Sequence, residues 1–313
     1  MDHSLPPANP SLDQFADLPH RIRICYRRYG GHTAPAVVLI TGLGLQLVSW
    51  PMALIDGLVN AGFQVITPDN RDAGRSTYLS QLPPARWQLL CDWIPTGHYA
   101  LDAMAQDMAM LLDQLQIPKA HMVGMSMGGM IAQTLAAKFP DKVLSLTSIF
   151  STTGNKRVGR AAGSTILRML FNRPAQTLEQ AQDKYVRMMH HVGNPKVPGI
   201  ENVWRDYIAQ AWQRCTPEHS TEGYSRQIAA ILLSGDRTGQ LYHIDTPTLV
   251  LHGDKDRLVH PSGGVATARA IGGAQFCTVQ GMRHQIDAYI TPHLLEVIVP
   301  HLRHAQSLQN IQA

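Results

Sequence analysis

The stretch His121-Met122-Val123-Gly124-Met125-Ser126-Met127-Gly128-Gly129-Met130 constrains the fold of this chain more than any other. It reads as a short apolar strand, a very sharp turn with Ser126 at its apex, and a helix predicted over residues 127–139. Glycines two positions before and two after the serine solve a steric problem. Side chains there would collide with the neighbouring strand and helix, and the serine itself is held in a strained backbone conformation. The helix starts directly behind Ser126. Its N-terminal amides and positive dipole end therefore point at whatever charge develops beside that hydroxyl.

Strand and helix alternate on both sides of this stretch. Strands are expected at 21–29, 34–40 and 63–67, in the run up to Ser126, and at 143–150, 248–251 and 275–279. Helices are expected near 51–61, 101–115, 127–139 and 294–302. Residues 1–19 are Pro-rich and polar and read as an arm on the surface. Residues 21–29 alternate basic side chains with Ile22, Ile24 and Tyr26, the pattern of a half-exposed edge strand. Residues 34–40 are almost wholly apolar, as in a parallel strand covered on both faces. Leu101, Met104, Met108, Leu111, Leu112 and Leu115 recur at helical spacing. Such alternation predicts an α/β fold with a doubly wound, mostly parallel sheet.

The rhythm breaks after Ser151. Residues 152–242 carry no strand pattern but three helical stripes. One is Leu178, Ala181, Tyr185, Met188 and Met189. A second is Ile200, Val203, Trp204, Tyr207, Ile208, Ala211, Trp212 and Cys215, and a third is Tyr224, Ile228, Ile231 and Leu232. The expected organisation is a core of residues 1–151 and 243–313, with a helical lid, 152–242, inserted over the C-terminal edge of the sheet. Most of the stripe residues pack the insert. Met188, Trp204, Tyr207 and Trp212 are the expected pocket walls within it, with Phe171 nearby, and Trp50 and Gly42 are expected to face the same space.

Composition removes several function classes. Of 313 residues, 44% are hydrophobic and 16% charged, which suits one large soluble domain with an insertion. The net charge of +4 is small and its lysines and arginines are dispersed. There is no nucleic-acid stripe and no polybasic membrane patch. No apolar run approaches the roughly 18 residues needed to span a bilayer, and the N-terminus has no secretory pattern. Cys25, Cys91, Cys215 and Cys277 are widely separated, so they are expected to be reduced thiols of a cytoplasmic protein, not a disulfide framework or a metal site.

A serine hydroxyl is a poor nucleophile near neutral pH. It needs a base within hydrogen-bond reach, and the base needs an acid to orient it. In doubly wound sheets active residues collect at the C-terminal ends of strands. Three predicted strand ends carry suitable groups, in the order Ser126, Asp256, His284. Among fifteen histidines, His284 stands out because it follows a strand and a glycine near the end of the chain. Asp256 is preferred to Asp254 because the loop has cleared the strand by then, and His252 is expected to hydrogen-bond the turn. The oxyanion hole needs two backbone N–H groups. The amide of Met127, just after the nucleophile, supplies one. The other is expected from Thr41-Gly42-Leu43-Gly44, at Leu43, where the two glycines permit close backbone approach. That loop is a poor dinucleotide fingerprint, because Leu47 occupies the third glycine position. No Gly-Lys-Ser/Thr follows the serine turn, and no metal-ligand cluster is visible.

Four stretches together resemble the α/β-hydrolase superfamily: Gly-Met-Ser-Met-Gly-Gly-Met at 124–130, Asp-Asn-Arg-Asp-Ala-Gly-Arg-Ser at 69–76, His-Gly-Asp-Lys-Asp-Arg-Leu-Val at 252–259 and Gly-Met-Arg-His at 281–284. Within it, the Asp-Asn-Arg-Asp turn and Ser151-Thr152-Thr153-Gly154 are similar to bacterial carboxylesterases of the aclacinomycin methylesterase type. The resemblance implies an eight-stranded sheet, a helical cap and ester hydrolysis without metal or cofactor. It departs in having Thr41 where many relatives have His, and Arg283 and Gln285 around the histidine where relatives often have Gly and Asp. The partner expected is a small-molecule ester, with no nucleic acid or membrane and with a homodimer admissible. Acyl transfer or cofactor-free perhydrolysis would use the same three groups, and a non-catalytic ligand receptor would need none of them. Haloalkane dehalogenase and epoxide hydrolase chemistry is disfavoured, since those relatives need a carboxylate where Ser126 stands.

Overall fold

The computed structural model describes residues 3–170 and 174–312. Its frame is one eight-stranded sheet: β1 Gln14–Leu18, β2 Ile22–Tyr29, β3 Ala36–Ile40, β4 Gln64–Pro68, β5 Ala120–Met125, β6 Val143–Ile149, β7 Thr248–Gly253 and β8 Gln275–Val279. The spatial order is β1-β2-β4-β3-β5-β6-β7-β8. Pairs β1–β2 and β2–β4 are antiparallel, and the remaining five are parallel. Strand order reverses at β3, whose neighbours are β4 and β5. Chains leaving β3 and β5 therefore diverge and open a crevice at the carboxyl ends of two adjacent strands, where ligands of such sheets sit.

Helices α1 Met52–Asn60, α2 Arg86–Leu90, α3 Leu101–Gln114, α4 Met127–Lys138, α5 Gly163–Leu170, α6 Leu178–Val192, α7 Ile200–Arg214, α8 Pro217–Ser234, α9 Thr238–Leu241, α10 Ser262–Ala270 and α11 Ile290–Gln312 complete the chain. Strands β3, β4 and β5 are buried at every position, so both faces must be covered. On one face Val37, Leu39, Val65 and Val123 meet Leu54, Ile55 and Leu58 of α1 and Leu294, Ile298 and Leu302 of α11. On the other, Val38, Ile40 and Met122 meet Met104, Met108 and Leu112 of α3 and Ile131 and Leu135 of α4. Helices α5 to α9 lie between β6 and β7, the stretch expected to carry only helices. Among them α6 packs on α7, whereas Ala230 of α8 and Leu241 of α9 join the apolar layer of α3 and α4.

Two local expectations change. Residues 14–18, placed in a surface arm from composition, form β1 and pair with β2 from Gln14↔Tyr26 to Leu18↔Ile22. Strand β2 is accordingly not an edge. Its Arg27 is buried against Asp13 at 2.6 Å and donates also to the carbonyl of Pro7. A buried guanidinium is tolerated only when paired and hydrogen-bonded, and the N-terminal segment supplies those partners. The last helix is much longer than the 294–302 apolar stripe and continues through Pro300.

Candidate active site

Strand β5 ends at Met125, and the chain turns at Ser126 with φ 55° and ψ −119° before α4 begins. An L side chain rarely adopts this conformation, and it persists only where surroundings enforce it. Here the N–H of Ser126 donates to the Ile149 carbonyl of β6, and the Ser151 hydroxyl donates to the Ser126 carbonyl at 2.8 Å. The flanking glycines are sterically required. A Cβ on Gly124 would lie 2.2 Å from the Gly128 oxygen, and one on Gly128 would lie 2.1 Å from the Ile40 oxygen. Helix α4 thus packs backbone to backbone against the end of β3, so the loop after β3 passes the serine closely.

His284 lies in the loop after β8. Its Nε2 is 3.0 Å from Ser126 Oγ, and its Nδ1 is 2.7 Å from Asp256 Oδ2. A carboxylate can only accept, so Nδ1 carries the proton and Nε2 is left to accept from the serine hydroxyl. Asp256 Oδ1 accepts the amides of Leu258 and Val259 at 2.8 and 2.9 Å. Burial alone would push this carboxyl up; the electrostatic attraction of the adjoining His284, hydrogen bonds from His252 and His284 and the Val259 amide outweigh it and hold the group well below the usual carboxylate range. Asp254, the competing acid, points elsewhere: it accepts the Gly281 N–H at 2.6 Å and pairs with Lys255. His252 donates from Nε2 to the Val259 carbonyl at 2.9 Å, which ties the turn as expected.

The expected oxyanion donors lie on the two converging loops. Gly42 is so near the serine turn that a Cβ on it would be 3.3 Å from Ser126 Cβ. The loop closes as a turn, Leu45 N–H to the Gly42 carbonyl, with Gly44 at φ +68°. Among the described residues neither the Leu43 nor the Met127 amide donates to a protein acceptor. Residues 69–72 brace this loop. Asp69 accepts the Leu47 N–H, Asn70 donates to the Thr41 carbonyl at 3.1 Å, Arg71 makes a two-pronged pair with Asp107, and Asp72 pairs with Arg226. In the sequence these four residues carried part of the resemblance, with no bracing role assigned to them.

The aromatic residues expected in the pocket divide. Trp50 is fully buried in the apolar cluster that includes Met125 and Phe150. Trp204 is buried with Val186, Met189, Val192 and Ile200, inside the packing of α6 on α7. Tyr207 is buried, and its hydroxyl accepts the Gln46 N–H at 3.2 Å. Met188 and Trp212 are half-buried, and Phe171 lies outside the described residues. Phe150, which sequence did not single out, sits at the end of β6 with φ 36° and its ring 4.4 Å from the His284 ring. The two flanking departures from the resemblance also have partners: Arg283 donates to the Gly193 carbonyl at 3.1 Å, and Gln285 Oε1 accepts the Asn194 N–H at 3.1 Å.

No group of three or more His, Cys, Asp or Glu side chains able to hold a metal occurs among the described residues. None of the described helices is long and apolar enough to cross a membrane.

Comparison with known proteins agrees with this architecture. The chain is 25% identical over 288 residues to rhodomycin D methylesterase of Streptomyces peucetius, which covers 86% of this chain and 91% of that protein. It is 26% identical over 245 residues to 3-oxoadipate enol-lactonase 2 of Acinetobacter baylyi, covering 78% and 79% of the two chains. The crystal structure of the enol-lactonase from Burkholderia xenovorans LB400 superposes with a TM-score of 0.69 at 22% identity, covering 93% of this chain and all of that one. The sequence pattern of the α/β-hydrolase fold matches residues 35–286, and the chain belongs to that family.

Proposed function

We propose that the chain is a serine carboxylic ester hydrolase that works through an acyl-enzyme on small to medium, largely apolar esters. The observation that carries this reading is the unbroken relay from Ser126 Oγ through His284 to Asp256, at 3.0 and 2.7 Å. The named activities of the methylesterase and enol-lactonase relatives, both cleavages of an ester bond, support it.

Ser126 Oγ attacks the ester carbonyl carbon while its proton passes to His284 Nε2. The carbonyl oxygen becomes an oxyanion held by the Met127 and Leu43 amides. Collapse expels the alcohol, which leaves with the proton from Nε2. A water molecule then gives a proton to Nε2 and attacks the acyl carbon, and Ser126 takes that proton back as the acid departs. Asp256 stays ionised throughout, fixes the tautomer of His284 and stabilises the imidazolium. Gly42, Met188 and Trp212 are the proposed pocket walls, whereas Trp50, Trp204 and Tyr207 hold elements in place.

The test is hydrolysis of a p-nitrophenyl ester series by the wild type and Ser126→Ala. The wild type should turn over with a burst of p-nitrophenol where deacylation limits, and the variant should lose at least about 10³-fold in kcat with an unchanged melting temperature. A variant that keeps most of its turnover would remove Ser126 from the mechanism.

A further inference from the structure

The inserted helices hold the loops that carry the chemistry. Gln227 of α8 is fully buried. Its Oε1 accepts the Gly44 N–H at 2.8 Å, and its Nε2 donates to the Arg71 carbonyl at 2.8 Å. With an N–H at one end and a C=O at the other, the amide has one orientation that satisfies both. It therefore fixes the turn 42–45 against the brace at 69–72. Two positions on, the Gln46 N–H donates to Tyr207 Oη of α7, its Nε2 donates to the Ala211 carbonyl and its Oε1 accepts from Arg214. The histidine loop is gripped by the same insert, where α6 ends. There the Val192 carbonyl accepts the His284 N–H at 3.0 Å, filling one of the acceptors that a helix C-terminus leaves open.

We propose that the insert is a positioning frame for the chemical step, and that Gln227 is a positioning residue which, through Gly44, sets where the Leu43 amide points. The proposal rests on the ester-hydrolase reading and on Leu43 as an oxyanion donor. A gate that only admits substrate would not require a buried side chain bonded to this turn on one side and to the core on the other. Loss of one oxyanion donor lowers turnover by about 10²–10³-fold. Loosening a loop that carries one should lower it by about 10- to 100-fold.

The experiment is Gln227→Met, which keeps the chain length and removes both polar ends, with Tyr207→Phe as a milder second variant that deletes only a hydroxyl. Each is measured with p-nitrophenyl acetate for kcat and KM, with diethyl p-nitrophenyl phosphate for the rate of serine phosphorylation, and by thermal melting. The expected result for Gln227→Met is a 10- to 100-fold fall in both kcat and phosphorylation rate, with KM within threefold. The pH midpoint of kcat/KM should not move, because His284 and Asp256 are untouched. Tyr207→Phe should show the same split at about three- to tenfold, and it decides the matter if Gln227→Met does not fold. Unchanged kcat in folded variants, or a rise in KM alone, would overturn the proposal. Those outcomes differ from failure of the hydrolase reading, which would appear as turnover surviving Ser126→Ala.

Discussion

Replacing Gly128 by Ala tests how closely the serine turn and the loop after β3 must approach. A Cβ there would lie 2.1 Å from the Ile40 oxygen and 2.6 Å from both the Ile40 carbonyl carbon and the Thr41 oxygen. Ordinary carbon–oxygen contacts begin near 3.3 Å, so α4 and the end of β3 must part by about 1 Å. Neither can yield cheaply, since β3 is buried on both faces and α4 begins at a strained residue. Overpacking of this kind costs about 1–3 kcal/mol, and a backbone-to-backbone clash belongs at the upper end. Alanine returns about 1 kcal/mol as the better helix former, leaving a net loss of about 2 kcal/mol. The parting occurs between the Met127 amide and the loop bearing Leu43. A 1 Å misplacement of catalytic groups can lower the rate about 10²-fold. Urea unfolding and p-nitrophenyl acetate kinetics should show both effects in Gly128→Ala, with kcat falling and KM nearly constant. Gly42→Ala is the internal comparison, since its Cβ would meet Ser126 Cβ at 3.3 Å, a tight contact that asks for a shift of a few tenths of an ångström instead of about 1 Å, and its stability should change less than that of Gly128→Ala, by about 1 kcal/mol or less. Wild-type stability and turnover in Gly128→Ala would refute the reasoning.

Two further outcomes follow from the same geometry. Asp256→Asn should lower kcat by about 10⁴-fold, by removing the acceptor that holds the His284 tautomer; Asp254→Asn, which gives up the charge paired with Lys255 but keeps an oxygen for the Gly281 N–H, should change it less than tenfold, and equal losses would reverse the assignment. Burial and the nearby His301 push His121 down to about 3, and burial and His304 push His301 down to about 4. Both therefore bind protons more weakly folded than unfolded, so their stabilisation is complete above the unfolded value of about 6.5 and is lost as pH falls. Each should contribute a loss of about 2 kcal/mol by pH 5, and urea midpoints equal at pH 7.5 and 5 would contradict this.

The serine turn was legible because its logic is local: the residues that clash, and the glycines that avoid the clash, lie within a few positions of one another. Asp256 could be ranked above Asp254 for a similar reason, as each extra residue carries a loop farther from its strand. Strand β1 was obscured by its Pro-rich neighbours and by Ala16, too small to mark an inward face. Trp204 and Tyr207 announced burial through helical spacing, but spacing does not say whether a buried face meets a substrate or another helix. Least legible were the long-range contacts. Gly44 and Gln227 are 183 positions apart, and no periodicity relates a loop amide to a glutamine on a distant helix. Arg283 and Gln285, which stood out only as departures from the resemblance, acquired meaning once the turn at 193–194 lay against them.

The backbone of Ser126 sets function and robustness against each other at a single residue. Holding an L side chain at φ 55° costs roughly 1–2 kcal/mol, a penalty that glycine would escape. On the proposed mechanism, selection for thermal tolerance alone would favour glycine at the apex and leave a sturdier but inert protein. If Ser126 acts as proposed, the serine is kept only while turnover itself is under selection, and the rest of the fold must carry the deficit as permanent stability in reserve.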